Sequence, residues 1–443
     1  MDPAGLLTIA TDAEAFIDSL RRDVAPGSGT GLRWARTNEP DAPEDPTLYH
    51  GAAGIALVKL ELHAALGGDG RLSDAIAAGD GLIGYVRAKV ASGDPVSVSP
   101  ATGWPGYAFT FIELHRATGE QRFADAARLC IDRLHAQAQP LGAGIGWVEP
   151  MPFSDITGFT GEREIYDQSV GAAGAGLVLL SAHRAGVHPE ALGWAVQVAD
   201  RLLEVAEPDP DGLRWRLMAD MPFPFTAPNF AHGGAGVAYF LTQVFVETGD
   251  QRFLDAALEG ARYVLSRATP MGDDGCLVCH TEEQQPPIFY LGACHGPAGT
   301  GRLFHLLAGV TGDPAWQRHT DALTRGLLHT GAPEARTQGL WNNHGQCCGD
   351  AGIGDFAVVM WRHTGDPLYL DLAQRCADVV VAASTSNDGR RSWLQAEHRV
   401  RPRFVQEQTG YMQGAAGIAS FLVHLATSVE GRPVKIVFPD VPA

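Results

Sequence analysis

The sequence predicts an all-α protein, an α/α toroid of seven helical hairpins with about fourteen helices. Three features predict it: a glycine pair that recurs seven times, an apolar helical stretch after each pair, and a Thr-Gly-acid turn leading into an amphipathic helix.

The glycine pairs come first, because a fixed internal repeat determines the architecture. They are Gly51/Gly54, Gly103/Gly106, Gly171/Gly174, Gly233/Gly236, Gly296/Gly299, Gly349/Gly352 and Gly414/Gly417, spaced 52, 68, 62, 63, 53 and 65 residues apart. Repeats thus fill the chain, and residues 1–443 read as one toroid domain. After each pair runs a stretch such as GIALVKLELHAAL or GVAYFLTQVFVET, apolar around most of a helix and therefore an inner helix. Turns such as Thr248-Gly249-Asp250 and Thr364-Gly365-Asp366 follow, in which glycine stops one helix and the acid caps the next. The next helix, for example QRFLDAALEGARYVL, is amphipathic and belongs outside. A closed ring lets such hairpins bury both terminal faces without capping repeats. The helix-like TDAEAFIDSLRRDV before Gly51 is needed to close it, and the glycine pairs mark helix starts where small residues let backbones approach. Three loops fall outside the helical period: residues 136–167, which read as an excursion with a short hairpin, residues 332–345, and residues 393–413. Loops over the ring's mouth are candidate peptide contacts.

Composition narrows the function. With 33 basic against 51 acidic residues the net charge is −18, which excludes a polyanion such as DNA or RNA as the partner. No window reaches the run of roughly 18 to 20 apolar residues that a membrane span needs, and the N-terminal stretch lacks the pattern of an export signal. A cytoplasmic protein is expected. Seven cysteines, an odd number, in a large chain of this kind point to thiol or metal chemistry, not to a disulfide framework.

Two of the seven mouth positions carry cysteine: Cys294 in GACHGPAG, and Cys347 with Cys348 in GQCCGDAG. Adjacent cysteines beside glycine, at the repeat position of another cysteine, are hard to explain by packing. Three thiolates suit zinc, whose catalytic sites keep three protein ligands and one open position. Cys130 and Cys376 sit inside amphipathic helices and read as apolar fillers. Cys276-Leu-Val-Cys279-His280 spells a haem-attachment motif and also offers a zinc pair; otherwise it is a pair of surface thiols on a loop after an outer helix.

At this point the chain resembles the lanthionine synthetase C-like (LanC) family along essentially its whole length. The family's Tyr-Asp-x-x-x-Gly stands here as Tyr166-Asp167 through Gly171, and its Asn-x-x-His-Gly-x-x-Gly as Asn229-Phe230-Ala231-His232-Gly233 through Gly236. Its zinc-binding Cys-x-Gly and Cys-His-Gly stand as Cys294-His295-Gly296 and Cys347-Cys348-Gly349. Three departures occur: Ala293 replaces a Trp, Tyr290 an Arg, and Cys348 the usual His ligand, as in a subset of cyclases with three cysteine ligands.

The resemblance implies a toroid of seven hairpins, Zn²⁺ on Cys294, Cys347 and Cys348, and a stand-alone lanthipeptide cyclase. In that reaction a cysteine of a dehydrated precursor peptide adds to dehydroalanine or dehydrobutyrine, giving a lanthionine or methyllanthionine ring. Zinc strips the proton from the substrate thiol, and a general acid must then protonate carbon. His232 and Asp167 are the candidate catalytic residues, with His295 donating to the acceptor carbonyl or orienting the site. Asp167 also reads as a helix cap, and His50 and His344 have only position in their favour. With no room before Gly51 for a kinase, lyase or dehydratase, a separate dehydratase in a biosynthetic complex is expected. Three other readings stay open: glutathione addition to dehydrated proteins, a non-catalytic zinc scaffold that binds the precursor, and a glycosidase using Asp167 and Asp350.

Overall fold

A computed structural model of the chain describes residues 1–23, 31–151, 154 and 158–442; part of the 136–167 excursion lies outside the described residues. Among the described residues the chain forms fourteen helices. In chain order they are α1 (Pro3–Ser19), α2 (Ala52–Leu66), α3 (Asp69–Ser92), α4 (Trp104–Thr118), α5 (Gln121–Ala136), α6 (Ala172–Arg184) and α7 (Ala191–Glu204). Then come α8 (Gly234–Thr248), α9 (Gln251–Ser266), α10 (Pro297–Thr311), α11 (Pro314–His329), α12 (Asp350–Thr364), α13 (Pro367–Ala382) and α14 (Ala415–Val429). Strands are no longer than four residues and pair only into two-stranded antiparallel sheets.

The chain divides into two compact units, residues 1–95, 109–127 and 331–437 in one, and 96–108, 128–330 and 438–443 in the other. Helices α4 and α5 contribute to both. In the first unit α2 packs on α3 and α12 on α13, while the N-terminal α1 packs on the C-terminal α14. The seventh hairpin is therefore made from the two chain ends, as expected of the helix before Gly51. That helix stops at Ser19, however, and Arg21–Asp23 pairs as a strand with Leu32–Trp34. In the second unit α6 packs on α7, α8 on α9 and α10 on α11, and α8 touches both α6 and α10.

The inner helices start where the glycine pairs say they should. Gly51, Gly171, Gly233, Gly296, Gly349 and Gly414 are the residues just before α2, α6, α8, α10, α12 and α14. The residue after the glycine donates its N–H to the carbonyl seven residues back, Ala52 to Asp45 at 2.8 Å and Ala415 to Gln408 at 2.9 Å. The incoming loop therefore lies directly on the helix start. A Cβ at Gly51 would stand 1.8 Å from the Asp45 carbonyl oxygen, and one at Gly417 1.8 Å from that of Tyr411. The glycines are required by backbone approach.

Helix ends behave as their turns predict. Gly249 closes α8 in the left-handed region (φ 70°), and Asp250 accepts from the Arg252 N–H at 3.1 Å to open α9. α8 is buried around most of its circumference, whereas α9 buries a stripe from Phe253 through Val264 at helical spacing. In the first unit, buried His424 of α14 lies between Glu61 of α2 (2.8 Å) and Asp355 of α12 (2.7 Å), an ionic clasp joining three inner helices.

A second repeat, absent from the sequence reading, follows the outer helices. Short hairpins are followed by a buried tryptophan whose indole N–H donates to a carbonyl thirteen residues earlier: Trp147 to Leu134, Trp215 to Leu202, Trp393 to Val380, at 2.7–2.9 Å; in the first two, Gly144 and Gly212 lie against the next outer helix. Its signal was present as Gly144-Ile-Gly-Trp147 and Gly212-Leu-Arg-Trp215. Three-residue strands are too short to show a period.

Candidate metal centre

The loops before the inner helices share a backbone rung. Two residues before the first glycine of each pair stand Tyr49, Ala101, Ser169, Ala231, Cys294, Cys347 and Met412. Within the second unit the Ser169 N–H donates to the Ala231 carbonyl (3.0 Å) and the Ala231 N–H to the Cys294 carbonyl (2.7 Å). Within the first, Cys347 donates to Met412 and Met412 to Tyr49, both at 3.0 Å. Backbone bonds link the rung within each unit, so the side chains it displays can vary. Cys294 and Cys347 are equivalent positions of different repeats.

The Sγ atoms of Cys294, Cys347 and Cys348 lie within 4.8 Å of one another, the one group of three or more metal-competent side chains found at ligand spacing among the described residues. Cys347 and Cys348 are 3.4 Å apart at sulfur. Sulfurs in a tetrahedral zinc site with bonds of about 2.3 Å stand about 3.8 Å apart, so the spacing and the all-thiol donor set fit such an ion. Cys276 and Cys279 do not join the group. They are half-buried, Cys276 within the hairpin strand Gly275–Val278, and burial pushes both thiols up in pKa. The expectation of surface thiols on a loop is corrected accordingly. Cys130 and Cys376 are fully buried, as apolar fillers should be.

Beside Cys294 lie the polar residues named from sequence. His232 Nδ1 donates to Asp167 Oδ2 at 2.7 Å, and Asp167 Oδ1 accepts from the Val170 N–H at 2.8 Å. Asp167 thus closes a turn and orients His232, while the N-cap of α6 is Gly171. The loop is held from behind: Tyr166 OH donates to Glu164, whose carboxylate receives both Nε and Nη2 of Arg201. His295 lies 5.1 Å from His232 between ring centres. Asn229 donates through Nδ2 to the Cys279 carbonyl (2.8 Å), so its Oδ1 faces His295 Nδ1 at 2.6 Å. That nitrogen must carry the proton, leaving Nε2 as the acceptor of a neutral ring. Burial, then the neighbouring His280 and His232, hold the imidazole well below its usual pKa.

Two residues that the sequence reading named without a place in this site join it. His280 stacks on Tyr290 at 4.2 Å and meets His295 edge-on at 4.5 Å, and Tyr290 is 5.3 Å from His295. The position where relatives carry Arg therefore holds an aromatic that pins the histidines. Only the closeness of His280 to Cys279 hinted at it.

In the first unit His344 Nδ1 donates to Asp350 Oδ2 (2.6 Å), and Asp350 also takes both terminal nitrogens of Arg336 (3.1 and 2.9 Å). Tyr49 is half-buried, its oxygen accepting from Gln413 Nε2 at 2.9 Å; desolvation, then the Cys347 and Cys348 thiols, raise its phenol well above the usual pKa. His50 is held near pKa 3 by burial and then by Arg36 and His398.

A family model for lanthionine synthetase C-like proteins matches residues 154–440, well over half of the chain and inclusive of all three cysteines. The chain belongs to the lanthionine synthetase C-like family. Among solved structures it is similar to nisin cyclase, with TM-score 0.60, 13% identity, and coverage of 87% of this chain and 89% of that one. The LanC-like fold is accordingly the α/α toroid of helical hairpins. It is also similar to the cellobiose 2-epimerase of Bacillus thermoamylovorans B4167 (TM-score 0.51, 9% identity, 96% of this chain and 99% of that one). A D-mannose isomerase gives TM-score 0.51 at 13% identity, covering 96% and 97%. Since cyclase, epimerase and isomerase match at such identities alike, these likenesses show the fold alone. No curated protein sequence matches significantly. No described helix is long and apolar enough to cross a membrane.

Proposed function

We propose that this LanC-like chain is a single-domain, zinc-dependent lanthipeptide cyclase of the cytoplasm, acting on a precursor peptide that a separate dehydratase has dehydrated. The observation that carries the reading is the three-thiol cluster of Cys294, Cys347 and Cys348. Zinc held there supplies a Lewis acid with one open position, which lowers the pKa of a substrate thiol. The chain's own residues do the rest. The neutral His295, its Nδ1–H committed to Asn229, presents a lone pair at Nε2 and is an acceptor, so a donor role toward the substrate carbonyl does not suit it. His232, held in one tautomer by Asp167, takes up the substrate thiol's proton at Nε2. As the thiolate sulfur adds to the β-carbon of dehydroalanine, the C=C electron pair moves to the α-carbon and takes the proton His232 delivers, which completes the thioether. Tyr290 and His280 keep the two histidines in register and exclude water.

Other readings are less well supported. A scaffold needs a closed four-ligand site, and the described group has three. A glycosidase needs two available carboxylates, but Asp167 is committed to His232 and Val170, and Asp350 to Arg336 and His344.

The test is incubation of zinc-loaded protein with a dehydrated, cysteine-containing peptide, followed by alkylation and mass spectrometry. Free thiols disappear with no change in mass if rings form. Cys347→Ala and Cys348→Ala each abolish both zinc content and thiol consumption; retention of both sinks the assignment. A glutathione adduct without ring closure would instead favour addition to dehydrated proteins.

A further inference from the structure

In a chain of net charge −18, the six residues Arg399-Val400-Arg401-Pro402-Arg403-Phe404 contain three arginines and no acid. They form the tip of a hairpin whose strands, Leu394–Ala396 and Val405–Glu407, pair antiparallel. Two local turns shape the tip: the Arg401 N–H donates to the His398 carbonyl and the Phe404 N–H to that of Arg401. Val400 is 57% and Phe404 60% exposed, and Arg401 through Phe404 line a cavity of about 420 Å³. Large apolar side chains left this open between permanent cations mark a binding surface.

The base of the hairpin is bonded to the loop that carries two of the three thiols. The Ala396 N–H donates to the Asn342 carbonyl at 2.8 Å, and its own carbonyl accepts from Trp341 Nε1 and Asn343 Nδ2, both at 2.9 Å. Gln395 Oε1 accepts the His344 N–H at 2.6 Å. Four bonds thus connect the finger to residues 341–344, just ahead of Cys347. Whatever binds the tip is tethered to the metal loop.

We propose that this finger docks an acidic, apolar-bearing segment of the precursor peptide, outside the part that forms rings. Charge complementarity argues for the occupant: the rest of the chain repels acidic peptides, so a local basic site is needed to capture one, and the exposed Val400 and Phe404 take its apolar side chains. The inference rests on the cyclase reading, and its failure is separable from that one. A fluorescein-labelled peptide of alternating Glu and Leu binds wild-type protein by anisotropy, more weakly as salt rises, while the same peptide with Lys for Glu does not. The double variant Arg401→Glu/Arg403→Glu binds it about tenfold or more weakly. That variant also raises KM for a dehydrated peptide extended by the acidic segment, yet cyclises the unextended peptide as wild type does. Equal binding of the Lys peptide, tighter binding of an oligonucleotide, or unchanged KM in the variant would overturn the finger while leaving the cyclase intact. Finger-dependent binding without cyclisation of either peptide would support docking and overturn the cyclase.

Discussion

Each unit holds a histidine on a buried aspartate, and the two are supported differently. Asp350 receives His344 together with both terminal nitrogens of Arg336, so its charge is answered whatever the imidazole does. Asp167 has His232 and a single backbone N–H. His344 is 5% exposed at its side chain, His232 14%. A carboxylate saturated by arginine suits a fastening for the loop that bears Cys347. Under the proposed function, one balanced mainly by imidazole would serve as the proton-exchanging pair.

The sharpest way to break the comparison is to remove each imidazole. His232→Ala should cut turnover about 10²- to 10⁴-fold with the melting temperature nearly kept. His344→Ala should lower the melting temperature and weaken zinc retention about 10- to 100-fold, as losing an outer support of a metal ligand does. Zinc content, thermal melts and thiol consumption on both variants decide it; an interchange of the two phenotypes rules the distinction out.

The aspartates give the next effect, in stability. Asp350→Ala leaves Arg336 without its buried partner and should cost about 3–5 kcal/mol, read by urea unfolding. Asp167→Asn keeps a group able to accept from Val170 and should cost about 1–3 kcal/mol. Equal losses would mean that the arginine fork contributes little.

The last comparison, read as a pH slope, comes from a third histidine, which sharpens the contrast by having two carboxylates and no arginine. Burial pulls the pKa of His424 down, but Glu61 and Asp355 outweigh it and lift it to about 10. Folding therefore favours the protonated ring. Its contribution is complete below the ordinary value near 6.5 and is lost as pH rises through about 10. Urea midpoints should fall over that window in the wild type and less steeply in His424→Gln; parallel curves would remove His424 from the account.

How much of this was legible in the sequence depended on whether one residue carried the constraint alone. The glycine pairs were readable because backbone contact excludes every other residue, and with them the seven hairpins. Asp250 and Gly249 were readable because a cap is local. The cysteine trio stood out because thiols at equivalent repeat positions have no packing excuse, and His232 with Asp167 through the family motifs. The Tyr290–His280 stack was hidden because it depends on the path of the nine residues between them. Arg336 was hidden because nothing local ties an arginine to an aspartate fourteen residues on. The tryptophan hairpins were overlooked because their strands are too short for alternation.

The rung of backbone hydrogen bonds beneath the cysteines has a consequence for how such a site can change over evolutionary time. Peptide groups and glycine contacts hold each loop, so exchanging the side chain it displays does not disturb the scaffold. Cysteines stand at rungs 294 and 347, and alanine, serine, tyrosine or methionine fill the others. The ring behaves as a set of sockets with a common fitting, in which ligands can be swapped one at a time and the chemistry retuned without a new fold.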